Sequence, residues 1–163
     1  DLDLGFVGTK VSLPDYTFLP FARDELIIAA PANDYYRKLH EEHVSLERLM
    51  QEPIILREQK SGTRKEAARF LERMHIPVSE LNVVAQMNDQ EMIKSFIRKG
   101  LGISIMSGFS VAEEEKDGSL LVFHLGENAS WRDLYMVYEK KKNLSAPVKQ
   151  FIHLIHHMFS RKS

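Results

Sequence analysis

The sequence predicts an α/β fold with a mostly parallel sheet flanked by helices, and three observations carry that prediction. Short apolar runs of strand length alternate with amphipathic stretches of helix length along most of the chain. The helix-length stretches open on capping residues that directly follow the strand-length runs. One run, "LGISIM", is apolar throughout, as a strand covered on both faces is. Alternation of this kind belongs to parallel strands joined through helices. A chain of 163 residues is long enough for one domain or two small lobes with a real core.

Taken in order, "DLDLGFVG" places a buried strand over Leu4 to Val7, closed by Gly8. The chain opens on this strand at Asp1, without a methionine and with nothing before it to pair against, so a fragment is expected. "ELIIAAP" (Glu25 to Pro31) is a β-rich run stopped by proline. "VSLERLMQEP" reads as a short helix with Ser45 as its N-cap, ended before Pro53, and "PIILRE" as a second buried strand. "GTRKEAARFLERMH" places Ala67, Phe70, Leu71 and Met74 on one helical face. "ELNVVAQM" is a third strand. "NDQEMIKSFIRKG" is a helix expected to bury Met92, Ile93, Phe96 and Ile97, with Gly100 at its C′ position. "LGISIM" is the fourth strand. After Ser107 a less regular zone holds the acidic patch "EEEKDG". "SLLVFHLG" and "LYMVYEK" read as two further strands. "SAPVKQFIHLIHHMF" closes the chain as a helix, with Pro147 near its first turn and Phe151, Ile152, Ile155 and Phe159 inward.

Composition narrows the functional classes. The chain is 44% hydrophobic and 28% charged with a formal net charge of -1, the profile of an ordinary soluble globular protein without a nucleic-acid-binding face. Lys140–Lys142 and Arg161–Lys162 are short solvated runs. The absence of cysteine excludes disulfides, thiolate metal sites and a cysteine nucleophile. No apolar run reaches the roughly 18 residues of a membrane helix, and the first residues do not read as a signal peptide.

Two helix starts stand out. Thr63-Arg64-Lys65-Glu66 reads as a capping box, and Asn88-Asp89-Gln90-Glu91 repeats the device. Capping alone explains both. If the preceding strands are parallel neighbours, however, both starts face one crevice, where free N–H groups and the helix dipoles favour an anion. "SGT" adds two hydroxyls there but has none of the spacing of a phosphate-binding loop. His153 and His157 form an i, i+4 pair, but Leu154 stands where a zinc peptidase needs glutamate, so a solvated face is expected. No Gly-x-Ser-x-Gly occurs, "MSGFS" has the wrong order for a nucleophile elbow, and no carboxylate pair is singled out. Trp131, Tyr135 and Tyr138 read as core or half-buried. No catalytic residue, metal site or cofactor is therefore assigned.

The order of "DLDLGFVG", "ELIIAAPANDYYRKL", "VSLERLMQEPIILREQKSGTR", "NDQEMIKSFIRKGLGISIMS" and "SAPVKQFIHLI" resembles the effector-binding domain of LysR-type transcriptional regulators across essentially the whole chain. "SGTR" together with "IKSFIRKGLGIS" carries most of it. The resemblance implies a periplasmic-binding-protein-like (type 2) fold of two lobes with parallel-rich sheets and two crossover strands. Lobe I would comprise residues 1–25 and 142–163 and be incomplete; lobe II would comprise residues 26–141. It further implies a small organic or inorganic anion as effector, and no cofactor or catalysis. The resemblance also implies a cytoplasmic homodimer or homotetramer that contacts DNA only through an N-terminal winged helix-turn-helix domain, expected to be absent from this chain. The effector positions carried over are Gly8 and Thr9 past the first strand, Ser61 and Thr63 at one helix start, and Asn88 at the next. Arg64 is a further source of charge. Ser107 departs from the proline common after the fourth strand. Two other classes share the fold: an extracytoplasmic solute-binding protein of a transporter, and an enzyme of dehydratase or deaminase type.

Overall fold

The computed structural model describes residues 3–126 and 130–160. Its elements run β1 (Gly5–Val7), β2 (Tyr16–Pro31), α1 (Asp34–Glu41), α2 (Leu46–Leu49), β3 (Ile54–Arg57), α3 (Gly62–Arg73), a 3-10 turn (Val78–Glu80), β4 (Val83–Met87), α4 (Gln90–Arg98), β5 (Ser104–Ser107), α5 (Gly108–Asp117), β6 (Leu120–His124), β7 (Trp131–Glu139) and α6 (Ala146–Ser160). Contacts divide the chain into one unit of residues 1–24 and 132–163 and a second of residues 25–131. The sequence reading set these boundaries after residues 25 and 141.

The larger unit is a three-layer sandwich. β3 and β4 run parallel, with Arg57 opposite Met87, and β3 also meets the start of β5 in parallel through Ile54 and Ile103. The second half of β2 then pairs antiparallel with β5 on one side and β6 on the other. The sheet is thus mixed, not mostly parallel. A strand buried on both faces carries the same apolar pattern whichever way its neighbour runs, so direction is not encoded in that pattern. Alternation along the strands sends side chains into two cores. Leu26, Ile28, Ile54, Leu56 and Ile105 pack against α1, α2 and α3. Ile27, Ala29, Ile55, Met106 and Val122 pack against Ile93 and Ile97 of α4 and Val111 of α5.

Two close approaches fix this unit. Gly102 has φ +148°, and a Cβ added there would lie 2.4 Å from the Pro53 carbonyl oxygen. Only glycine lets the chain pass close enough for Ile103 N–H to donate to that oxygen at 2.8 Å. Under α1 and α2, Glu52 is buried, yet it accepts from Tyr35 Oη at 2.6 Å, Tyr36 Oη at 3.2 Å and Arg48 Nη1 at 2.7 Å. The carboxylate is therefore paired rather than stranded, and ties the two helices together.

In the smaller unit β1 pairs antiparallel with β7, which lies beside β2. Edge-on aromatic contacts link Phe6 to Phe21 (5.5 Å) and to Phe151 of α6 (6.2 Å), and Phe21 to Phe159 (5.3 Å).

Several expectations are corrected. β1 is not buried, since Phe6 is half exposed. β2 starts at Tyr16 rather than Glu25, because "YTFLPFARD" carries a proline and two charges that masked its first half. α1 was not anticipated. The zone after Ser107 is helix α5, held by a single buried side chain, Val111, and stopped by Gly118 in the left-handed region. Met92 is exposed and Lys94 buried in its place. Phe151 of α6 and Trp131 of β7 are exposed, whereas Ile152, Ile155 and Phe159 are half-buried. Gly100 does occupy the C′ position of α4 with φ +78°, and Ser45 caps α2 as expected.

Candidate functional site

β3 and β4 are parallel neighbours, but the helices that follow them go to opposite faces of the sheet. Ala67, Phe70 and Leu71 of α3 join one core, and Ile93 and Ile97 of α4 join the other. Where successive connections part in this way, the carboxyl ends of the strands leave a crevice between two helix starts. The β3–α3 and β4–α4 connections leave the sheet side by side here, and Glu58 N–H bridges them by donating to the Met87 carbonyl at 3.2 Å.

Caps at both starts shift from the expected residues. Ser61, not Thr63, is the N-cap of α3: its extended backbone and its Oγ, accepting from Arg64 N–H, set the helix start. Thr63 lies inside the first turn. Asp89, not Asn88, caps α4 by accepting from the N–H groups of Glu91 and Met92 at 2.8 and 3.2 Å. A short acceptor one residue before the first turn outcompetes one two residues before it, because only the former reaches the free N–H groups.

Displaced from capping, Asn88 accepts from Arg57 Nη2 at 3.1 Å. Arg57 is the last residue of β3, and sequence reasoning missed it. The available signal was a lone guanidinium ending an apolar strand just before the capping segment. Arg57 Nε is buried without a hydrogen-bond partner, and so is Nη1 of Arg64. Burial lowers the Arg64 guanidinium below its ordinary value, but arginine stays charged throughout the physiological range. An unmet buried N–H of a cation is costly and is relieved by an acceptor, best of all an anionic one. The second unit therefore brings Ser61, Thr63 and Asn88 to neighbouring strand ends and adds Arg57.

Gly8 and Thr9 belong to the smaller unit, just past β1. There, a Cβ on Gly8 would lie 3.2 Å from Arg132 Nη1. That guanidinium donates from Nε and Nη2 to the buried Asp24 at 2.9 and 2.7 Å, so Gly8 makes room for an ion pair. Among the described residues no cluster of histidine and carboxylate groups could hold a metal ion, and His153 and His157 are exposed on α6.

Comparison with known proteins places these features in a family. Residues 1–160 match the LysR substrate binding domain family. The chain is 33% identical over 150 residues to the HTH-type transcriptional activator CmpR of a Synechocystis strain, covering 92% of this chain and 48% of the relative. It thus spans about half the length of the curated relatives it matches. Among solved structures, the regulatory domain of Synechocystis CcmR in complex with 2-PG superposes with a TM-score of 0.82 at 24% identity, covering 98% of this chain and 74% of that one. The effector binding domain of QuiR in complex with shikimate superposes with a TM-score of 0.79 at 19% identity, covering 98% and 73%. These neighbours share the periplasmic-binding-protein-like (type 2) fold expected from the sequence.

Proposed function

This chain belongs to the LysR substrate binding domain family, and on that premise we propose that it senses a small anion with the β3–α3 and β4–α4 crevice. The observation that carries the reading is Arg57, hydrogen-bonded to Asn88 and holding a buried N–H without a partner at a strand switch point. Ser61, Thr63 and Asn88 supply short polar contacts there, and Arg57 supplies the charge; Gly8 and Thr9 are proposed as effector contacts of the smaller unit by itself. Solved neighbours carrying 2-PG and shikimate support a small acidic ligand.

The domain performs no chemistry in this reading. The effector binds one conformation better and shifts the population toward it, by no more than its differential affinity. A helix-turn-helix domain elsewhere in the protein reads that shift on DNA, in a cytoplasmic homodimer or homotetramer. No helix among the described residues is long and apolar enough to cross a membrane.

Thermal denaturation against a panel of small carboxylates, phosphorylated carboxylates and inorganic oxyanions tests the reading. At least one anion is expected to raise the melting temperature, with an effect that weakens as salt rises. Replacing both Thr63 and Asn88 by alanine removes the shift, and Arg57→Gln weakens binding by roughly tenfold or more, the loss of one charge-assisted contact. A panel without a stabilising member would sink the proposal. Ligand recovered unchanged after long incubation separates a binder from an enzyme.

A further inference from the structure

β2 crosses from one unit to the other between Asp24 and Glu25, and the returning chain crosses between Trp131 and Arg132. Consecutive residues of a strand point to opposite faces, so these two carboxylates cannot share a partner. Each holds a different stretch of the returning chain. Asp24 accepts from Arg132 within the smaller unit. Glu25, within the larger unit, has Oε2 2.9 Å from His124 Nδ1, and its Oε1 accepts from the N–H groups of Leu125 at 3.2 Å and Gly126 at 3.4 Å. On the other side of the ring, His124 Nε2 lies 2.8 Å from Glu115 Oε1 of α5.

An ionised carboxylate only accepts hydrogen bonds, and a neutral imidazole donates from one nitrogen alone. A ring with a carboxylate oxygen on each nitrogen satisfies both only as the imidazolium. The neutral ring would turn a lone pair toward one of the two oxygens. A shared metal ion is not an alternative, because the carboxylates sit against opposite nitrogens and no single ion could meet all three groups.

We propose that Glu25, His124 and Glu115 form a proton-operated clasp at the root of the crossover. With His124 charged, the end of β6 and helix α5 are fastened to β2 where β2 leaves the larger unit. With His124 neutral, one carboxylate is released and the fastening slackens. The neighbouring Asp24–Arg132 pair has an arginine in place of the histidine. Of the charged groups on surrounding elements, Lys94 and Arg98 of α4 pair with Glu114, His40 of α1 meets the Phe123 ring edge-on, and Glu113 and Lys116 flank Glu115 on α5. The hydrogen bond with Glu25, outweighing partial burial, raises the His124 value above its ordinary 6.5. A histidine raised in the folded state contributes its full stabilisation below 6.5 and loses it as pH rises through the higher folded value. If the domain senses an effector as proposed above, the clasp makes that response proton-linked; the clasp itself is tested without any effector.

The test follows the imidazole of His124 by NMR in the full chain, identified by its disappearance in His124→Gln. Its midpoint is expected above 6.5 and to fall in Glu25→Gln and in Glu115→Gln. Amide-exchange protection of Leu125 and Gly126 is expected to drop as pH rises through that midpoint, and to lose this dependence in His124→Gln. A midpoint at or below 6.5, or one that Glu25→Gln leaves in place, overturns the charged triad. A raised midpoint with pH-independent protection at Leu125 and Gly126 overturns the clasp. The two glutamate variants carry the midpoint test even if His124→Gln does not fold.

Discussion

Lys94 shows what side-chain chemistry adds to a periodic pattern. On apolar spacing alone Met92 belongs inside α4, yet Met92 is 49% exposed and Lys94 6%. The ammonium is buried because it meets Glu114 at 2.6 Å and Glu91 at 2.7 Å and donates to the Ser110 carbonyl at 3.2 Å. No hydropathy pattern reports a partner that lies sixteen or twenty residues further along the chain. Replacing Lys94 by methionine leaves the partly buried Glu114 with a backbone hydrogen bond and the longer contact to Arg98, and is expected to cost about 2 kcal/mol in chemical denaturation. Glu114 also sets an acid limit. Burial raises its carboxyl, but Lys94 and Arg98 outweigh that and hold it below the ordinary 4.5. A depressed carboxylate stabilises the fold above 4.5 and loses that contribution as pH falls through its lower folded value. Glu114→Gln should therefore flatten the acid limb of the melting curve, and an unchanged limb would contradict this assignment. At Gly102 the Pro53 oxygen leaves no room for a side chain, so Gly102→Ala is expected to cost more than about 2 kcal/mol. The apolar strands flanking that approach were legible in the sequence; the approach itself was not, since it depends on which strands lie side by side.

At the scale of elements, strands and helices with a strong apolar face were legible and weakly patterned ones were not. β3, β5, α3 and α4 lie where the sequence places them, because Ile, Leu, Phe or Met recur there at one period, whereas the largely exposed β4 was legible from its β-branched pair Val83-Val84. α5 was missed because a run of glutamates follows its only buried residue, Val111. Caps were legible as a device but not to the residue. "KSGTR" offers two hydroxyls, and the choice of Ser61 over Thr63 rests on where the backbone leaves its extended form. Asp89 likewise takes the cap from Asn88. Ser61→Ala and Asp89→Ala are each expected to lower stability by about 1 kcal/mol. Asn88→Ala should leave α4 intact and act instead on anion binding, because its carbonyl serves Arg57. Calorimetric unfolding alongside an anion titration separates the two effects. Of the proposed anion site, the polar residues at the two helix starts were named from the sequence, whereas Arg57, which the structure places against Asn88, was not.

At the scale of the whole molecule, burial is unevenly shared. Leu26 to Ala30, Ile54 and Ile55 are almost wholly buried, whereas no side chain described in α6 is buried and Leu154 and Met158 are more than half exposed. Amides of α6 are therefore expected to exchange through local opening, while those of the second half of β2 exchange only on global unfolding. Mass-resolved hydrogen exchange distinguishes these regimes, and equal protection would contradict the burial pattern. The same strand imposes a rule of arithmetic on descent. β2 is one continuous strand from Tyr16 to Pro31, and a single count of residues from Glu25 onward decides which of its side chains enter which core. Adding one residue at Asp24–Glu25 would invert every side chain on one side of the junction, exchanging Ile27 for Leu26 between the two cores. Adding two would restore the parity. Length changes tolerated at this junction are thus expected in even steps, a constraint that no individual contact in either unit would reveal.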